Sequence, residues 1–370
     1  MVDLTQLETE ERKLLKTTKL SRINKVGSCY VIKATAVDFV VPPHNPWREL
    51  EIMKKLCFGE RIQCAQIIEL LDHRRVHDEL ELLFPFYSLT LEDFMLSQYN
   101  FQGSRSKKQF NPYLLGTKST ESTPEFYYNG FDVNIYAADM FKQLCSGLQF
   151  IHSNGIIHRD LKPQNVMLTS ISKPLQLKII DFGISYDTTT EDKDEPPNEK
   201  VTDVSTCFYK APELLFSVAN YDYAVDIWAL LVIISQWFQQ GSSIVNYAPA
   251  FIDDGSAELE NGSDIRLILT LFEKVGIPSV DLWPQVRDFG SASAFTGLFG
   301  SEGDGKYIKL LSAEEQHTRI IQNFPRLESL TDPKVKTMFL KCISGMMVLQ
   351  STERWTVSQL LDEINCVLQC

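Results

Sequence analysis

From Lys16 to Lys33 the chain reads KTTKLSRINKVGSCYVIK, with apolar residues recurring in short runs between polar ones. The pattern predicts a strand, a turn, a second strand, a turn and a third strand ending on Lys33. The segment CYVIKATA is rich in β-branched and aromatic residues, which suit a pleated, half-buried surface. VPPHNP then breaks the chain, and WRELEIMKKLC comes next with helical spacing, Pro46 standing near its first turn. ELELLFPFY reads as another short strand, ended by Pro85. From Asp132 the period changes: Val133, Tyr136, Met140, Leu144, Leu148 and Ile151 recur every three or four residues, as on one face of a helix. The chain beyond reads mostly as helix, with polar loops at 187–200 and 253–264. No internal repeat is visible. The expected class is α+β, with a small β-rich part carrying one helix and a larger, mostly helical part.

Residues 97–130 stand apart. NFQGSRSKKQFNPY and GTKSTESTPE are rich in Ser, Thr, Lys, Gly and Pro, so a loop insert is expected there. The 370 residues suit one large domain or two lobes. With 44% hydrophobic and 23% charged residues, an ordinary globular core can form. The net charge of −12 argues against a general nucleic-acid binder, because phosphate backbones demand clustered Lys and Arg. MVDLTQLETEERK lacks the apolar stretch of a secretory signal, and the longest apolar run, LLVIISQWF from Leu230, is too short to cross a bilayer. None of the eight cysteines forms a CxxC pair and no His pair has zinc spacing, so free thiols in a reducing compartment are expected. A soluble protein of the cytoplasm, with the nucleus also open to it, fits these features.

Three short motifs bear on chemistry. HRDLKPQN runs from His158 to Asn165, DFG from Asp181 to Gly183 and APE from Ala211 to Glu213. Each alone is weak. In this order and spacing they are specific, and the chain resembles the eukaryotic protein kinase family from about Leu15 to Leu361. The resemblance implies a bilobal kinase fold: one catalytic domain over 1–370, with a small lobe at 1–86 and a larger lobe at 87–370. It also implies ATP and Mg²⁺. Phosphoryl transfer needs positioning and charge neutralisation more than covalent help. Asp160 is then expected to accept or orient the proton of the substrate hydroxyl. Lys162 suits the transferring phosphate and matches the serine/threonine pattern. Asn165 and Asp181 offer oxygen ligands of the kind Mg²⁺ takes.

The same resemblance assigns the nucleotide site. Lys33 would hold the α- and β-phosphates, with Glu49 on the following helix as its partner. The alternative for that helix is a solvated face on which Glu51 and Lys55 pair at i,i+4. Phe84 would flank the adenine pocket, the Pro85 carbonyl and Tyr87 backbone would meet the adenine edge, and Leu168 would floor it. Val31 stands where the family usually has Ala, which narrows the slot. Thr206 matches the threonine that bridges the catalytic Asp and Lys, Glu213 is expected to pair with Arg354, and Asp226 matches the acid that anchors the catalytic loop from beneath.

IRLILTLFEKVGIPSVDLWPQV, from Ile265 to Val286, resembles cyclin-dependent kinases through its Gly-x-Pro turn and later Trp-Pro. With VPPHNP, LLFPF, KVTDVST, IISQWFQ, FIDDGS and GDGKY, the chain closely resembles the monomeric CDK-activating kinases of budding yeasts. That implies a cyclin-dependent kinase as substrate, its activation-loop threonine as acceptor, and activity as a monomer without cyclin. Arg159, before Asp160, marks kinases whose activation loop is held by a phosphate or an acid. The activating threonine of cyclin-dependent kinases matches Val201 here, while Asp203 and five acids between Glu191 and Glu199 lie nearby, so an acid near Arg159 and activity without phosphorylation are expected. A cyclin-dependent kinase that needs a cyclin is one alternative; the missing threonine and the altered helix around Glu49 count against it. A pseudokinase scaffold is the other, and it predicts loss of Lys33, Asp160, Asn165 or Asp181, all of which are present.

The glycines that usually cover the phosphates are missing. Their places fall near Leu15, Thr17 and Leu20, whereas Gly27 belongs to the next turn. Glycine serves there because backbone amides must approach phosphate closely. Backbone cradling is therefore expected to be weak, with Lys16 or Lys19 as candidate sources of charge in its place.

Overall fold

The computed structural model describes residues 4–38, 40–59, 63–101, 126–170, 175–259 and 262–368. Its N-terminal part is a five-stranded antiparallel sheet: β1 (Arg12–Thr17), β2 (Ser21–Val26), β3 (Tyr30–Ala36), β4 (Asp72–Val76) and β5 (Glu79–Pro85), in the order β1-β2-β3-β5-β4. The turns have local causes. The Thr18 N–H donates to the Ser21 carbonyl at 2.9 Å and its hydroxyl accepts the Ser21 N–H at 3.0 Å, which closes the β1–β2 turn. Gly27 has φ +55°, a left-handed conformation that costs other residues about 1–2 kcal/mol, and it reverses the chain between β2 and β3. The strand β3 does not end on Lys33 as expected. It continues to Ala36 because Thr35 and Ala36 still pair with Leu80 and Glu79 of β5.

The two faces of this sheet differ. One carries Val26, Ile32 and Leu83, which are buried beneath Leu4 and Leu7 of an N-terminal turn. The other carries Lys33 and turns it towards helix α1 (Pro46–Phe58). The Asn45 side chain accepts the Trp47 and Arg48 N–H groups and Pro46 occupies the first turn, so the helix starts where the sequence pattern places it. It buries Leu50, Met53, Leu56 and Cys57.

The remainder is mostly helical: α2 (Leu91–Ser97), α3 (Val133–Ser153), α4 (Pro212–Leu215), α5 (Ala224–Trp237), α6 (Asp264–Val275) and five later helices between Pro284 and Leu368. The Asp132 side chain caps α3, whose buried face follows the predicted period through Val133, Met140, Leu144, Leu148 and Ile151; Tyr136 is only half-buried. Every residue of α5 is buried, which makes it the centre of the helical part. Short strands thread between the helices: β6 (Leu89–Thr90), β7 (Tyr99–Phe101), β8 (Tyr127–Asn129), β9 (Ile156–Ile157), β10 (Val166–Ser170), β11 (Gln176–Ile179), β12 (Tyr186–Asp187) and β13 (Gly241–Ser242). They pair as β6-β10-β11, β9-β12 and β7-β8-β13.

Two expectations change. The ends of the 97–130 insert are strands, because QYNF and EFYYN bring aromatic residues that favour pairing, while the polar middle dominates the composition. Residues 102–125 lie outside the described residues. The loops also bury charge: Glu195 and Lys200 in one, Asp254 in the other. No helix among the described residues is long and apolar enough to cross a membrane, and the seven described cysteines are free thiols.

One buried ion pair ties the helical part together. Arg354 donates to both carboxylate oxygens of Glu213, at 2.8 and 2.9 Å, and to the Ala224 and Val348 carbonyls. Both side chains are fully buried. Removing one partner strands the other charge, which typically costs about 3–5 kcal/mol, whereas replacing both with apolar residues can be neutral. Arg354→Met is expected to lower unfolding free energy by about that amount in urea titrations. Adding Glu213→Leu should recover much of the loss; an equal or deeper loss in the double variant would contradict this account.

Candidate active site

The loop His158–Asn165 joins β9 to β10, and Asp226 holds it from the first turn of α5. The Asp226 carboxylate accepts the N–H groups of His158 at 2.8 Å and Arg159 at 2.9 Å, and it lies 2.9 Å from His152 Nε2. Burial would raise the Asp226 pKa; these donors outweigh it and hold the carboxyl below its ordinary value. They also sustain the left-handed backbone of Arg159, at φ +67°. His158 Nε2 donates to the Ile180 carbonyl at 3.0 Å, so Nδ1 accepts the Asp160 N–H at 3.3 Å. These contacts orient the imidazole, whose ring meets Phe182 edge-on at 5.0 Å.

Asp160 is oriented by three side chains. Thr206 Oγ1 donates to Oδ1 at 2.7 Å, Lys162 Nζ lies 2.8 Å from Oδ2, and Asn165 Nδ2 donates to Oδ2 at 2.9 Å. Lys162 also donates to Thr206 Oγ1 at 2.6 Å, which closes the network. Because the Asn165 amide nitrogen is engaged by Asp160, its carbonyl oxygen is left for another partner.

Opposite, Lys33 on β3 meets Glu49 on α1 at 2.6 Å and Asp181 at 2.7 Å. Burial would lower the Lys33 pKa, but the charges of Asp181 and Glu49 prevail and hold the ammonium above its ordinary value. The Lys33 charge holds Asp181 well below the usual carboxylate range, against a smaller opposing desolvation. Burial pushes Glu49 up, with Lys33 opposing. Asp181 has φ +65°, and a Cβ on Gly183 would lie 3.1 Å from Lys33 Nζ, so the glycine leaves room for the ammonium.

The remaining predicted positions line the junction of sheet and helices. Phe84, nearly buried, pairs across the sheet with Val31, and Pro85 with Tyr30. The chain passes through Tyr87, half-buried, into β6, where Leu89 stands opposite the buried Leu168 of β10. Thus the structure brings together Lys33, Glu49 and Asp181 on one side and Asp160, Lys162, Asn165 and Thr206 on the other.

A comparison of sequences decides the family: the protein kinase domain description matches residues 19–364. The chain belongs to the protein kinase family. This kinase is 43% identical to Serine/threonine-protein kinase CAK1 of Saccharomyces cerevisiae, over 98% of this chain and 99% of that protein. It is 30% identical to Serine/threonine-protein kinase csk1 of Schizosaccharomyces pombe, over 41% of this chain and 46% of that one. Its fold is similar to a chain of a CAK complex from Chaetomium thermophilum bound to ATP-gamma-S, with TM-score 0.62 and 18% identity, covering 97% of this chain and 91% of that one. The kinase is a serine/threonine kinase of α+β class, and its domain uses ATP.

The kinase also buries an acid where the loop over residues 187–201 meets the His158–Asn165 loop. Glu195 is fully buried. Its carboxylate accepts from Arg159 at 2.7 and 3.2 Å, from Arg48 at 2.5 Å and from the Val201 N–H at 3.1 Å. Burial would raise the Glu195 pKa; the Arg159 contacts, with help from Val201 and Arg48, keep it below the ordinary value. Arg48 also pairs with Asp192. So the expected acid near Arg159 is Glu195, while Asp203 pairs instead with Lys210 at 3.2 Å. Glu51 and Lys55 do not pair with each other. Lys54 takes Glu51 at 3.0 Å, and Lys55 reaches Asp187 at 2.9 Å and Thr189 at 2.6 Å, because α1 lies against the loop rather than facing solvent there. Arg48 was not singled out by the motifs, although it directly precedes Glu49; a cation beside that glutamate, read with the acids of the loop, was the available signal.

Glu195→Gln removes the charge and keeps the shape. With two guanidiniums left facing a neutral amide, stability is expected to fall by about 3–5 kcal/mol in urea unfolding. Amide exchange in α1 and residues 187–201 should quicken together. Unchanged stability and exchange would show that the loop does not depend on this charge.

Proposed function

We propose that this kinase transfers the γ-phosphoryl group of ATP to the activation-loop threonine of cyclin-dependent kinases, acting as a monomer without cyclin. The observation that carries this reading is the 43% identity with CAK1 along nearly the whole of both chains. Residues 1–86 and 87–370 are the two lobes in this reading, with the nucleotide between them. Phe84, the Pro85 carbonyl, the Tyr87 backbone and Leu168 would hold the adenine, and Lys33, fixed by Glu49, would meet the α- and β-phosphates.

Asp160 orients the acceptor hydroxyl and takes its proton in this mechanism. Its carboxylate is already positioned by Thr206, Lys162 and Asn165, so little reorganisation remains when substrate arrives. Lys162 then stands beside the same carboxylate to neutralise charge on the phosphoryl group in transit. The Asn165 carbonyl oxygen and the ionised Asp181 carboxylate are hard oxygen donors that fit Mg²⁺, and they would hold it. When bound, Mg²⁺ would supply charge neutralisation for the phosphates.

The clamp on Glu195 supports a further part of this reading: the kinase needs no activating phosphate, because a carboxylate already joins Arg48 and Arg159. Protein made in bacteria and shown unphosphorylated by mass spectrometry should label a cyclin-free cyclin-dependent kinase with radioactive ATP and Mg²⁺. Asp160→Asn should lower that labelling at least about a hundredfold. Equal labelling by both proteins would overturn the role of Asp160. An isolated chain that labels nothing until a cyclin is added would favour a cyclin-dependent kinase instead.

A further inference from the structure

Residues 12–25 carry six cations, Arg12, Lys13, Lys16, Lys19, Arg22 and Lys25, and no acid, within a chain of net charge −12. Half of them are committed. Arg12 pairs with Glu81 at 2.6 Å, Arg22 with Glu79 at 2.7 Å, and Lys25 lies 4.0 Å over the Phe86 ring. Lys13, Lys16 and Lys19 have no ion pair among the described residues.

The sheet register distinguishes these three. Lys16 of β1 stands opposite Ile23 of β2, and Ile23 stands opposite Lys33 of β3. Directly opposed residues of antiparallel strands share a face, so Lys16 lies on the face of Lys33 and in the same cross-strand row. Two strand spacings separate their backbones, roughly 10 Å. This placement depends on an irregularity. Leu14 pairs with Asn24, but the next pair is Lys16 with Ile23, so Leu15 is left without an opposite partner. Had the register continued evenly, Leu15 would face Ile23 and Lys16 would point to the opposite face, where Asn24 and Ile32 stand. A bulge that re-aims one side chain is a recurring device beside active sites.

Lys13 shares this face, but its row runs through Lys25 to Val31, towards the end where Val31 meets Phe84. Lys19 lies in the turn closed by Thr18 and Ser21, and belongs to neither row. Across the cleft, Glu92 of α2 receives the Gln164 amide at 2.6 Å, one residue before Asn165. Burial and Asp93 push Glu92 up, while the Gln164 contact and the charges of Lys16 and Lys162 pull it down.

We infer that Lys16 is a phosphate-binding side chain of the nucleotide site, standing in for the backbone amides that a glycine-rich turn would supply. The inference rests on the nucleotide site proposed above. Its ligand is the phosphate chain of ATP or ADP, not the nucleoside. Thr18, whose hydroxyl and N–H are spent on closing the turn, leaves that role to a long side chain on the cleft face.

The test is calorimetric titration of the full-length protein, in Mg²⁺ buffer, with adenosine and with ADP. Lys16→Ala should weaken ADP about tenfold, the scale of one charge-assisted hydrogen bond, and leave adenosine unchanged. Lys16→Arg should keep ADP affinity close to the parent's, and Lys13→Ala and Lys19→Ala should bind both ligands as the parent does. Parental ADP affinity in Lys16→Ala, or an equal loss for adenosine, would overturn the inference. If the parent protein binds neither ligand, the nucleotide site itself is wrong, and that outcome is distinct from a failure of Lys16 alone.

Discussion

Two guanidiniums share one buried carboxylate, and the geometry of the site depends on that meeting. Arg159 directly precedes Asp160, and Arg48 directly precedes Glu49, so the two side chains that converge on Glu195 are the neighbours of two site residues. Burying such charges is costly unless each is paired and hydrogen-bonded. Here the cost is met by a dense set of partners: Asp192 for Arg48, the Ile184 carbonyl and Tyr221 for Arg159, and the Val201 N–H for Glu195. The arrangement is satisfied only when loop, catalytic segment and α1 are all in place. Lys55, held by Asp187 two turns further along α1, fixes the helix at a second point. The helix cannot easily rotate about either contact alone, so Glu49 stays within 2.6 Å of Lys33.

The small sheet shows a similar economy of position. Alternation along β3 sends Ile32 and Ala34 into buried surroundings and Lys33 towards the cleft. Leu4 and Leu7 cover the Ile32 face, so the opposite face is the one left for α1 and a ligand. Asp226 performs the matching task below, gathering two backbone N–H groups and a histidine so that a left-handed residue can stand next to Asp160. Strain at Arg159 and Asp181 is local, and it is opposed by hydrogen bonds and ion pairs, buried ones at Arg159, rather than by packing alone.

Much of this was legible in the sequence because the chemistry demands particular residues in a particular order. HRDLKPQN and DFG marked Asp160, Lys162, Asn165 and Asp181, and periodicity placed α3 and the strand bearing Lys33. What could not be read has physical reasons. The partner of Arg159 depended on how a polar loop folds back, and composition offered several acids without ranking them. The Glu51–Lys55 pairing failed because helical spacing describes an isolated helix, whereas tertiary contacts with Asp187 and Thr189 redirected Lys55. The strands at the ends of the insert were hidden by the polar residues between them. A bulge at Leu15 leaves no mark in a pattern of apolar and polar residues, yet it decides which face receives Lys16.

A backbone cradle and a lysine are different instruments for holding phosphate. Amides in a glycine turn are positioned before the ligand arrives, whereas a lysine brings a full charge on a flexible stem and loses rotamer freedom of up to about 2 kcal/mol when it is fixed. The glycine turn also lets the backbone close over phosphate because no Cβ intervenes. In β1 every residue is exposed, so nothing beside Lys16 restricts it before binding. A lid built this way therefore exchanges preorganisation for charge. The exchange is tolerable only where the rest of the site is rigid, and here the rigidity comes from below and behind: Lys33 between two carboxylates, Asp160 among three donors, and α1 bolted to the loop through Glu195. Order concentrated around the catalytic loop is what permits a turn without glycine above it.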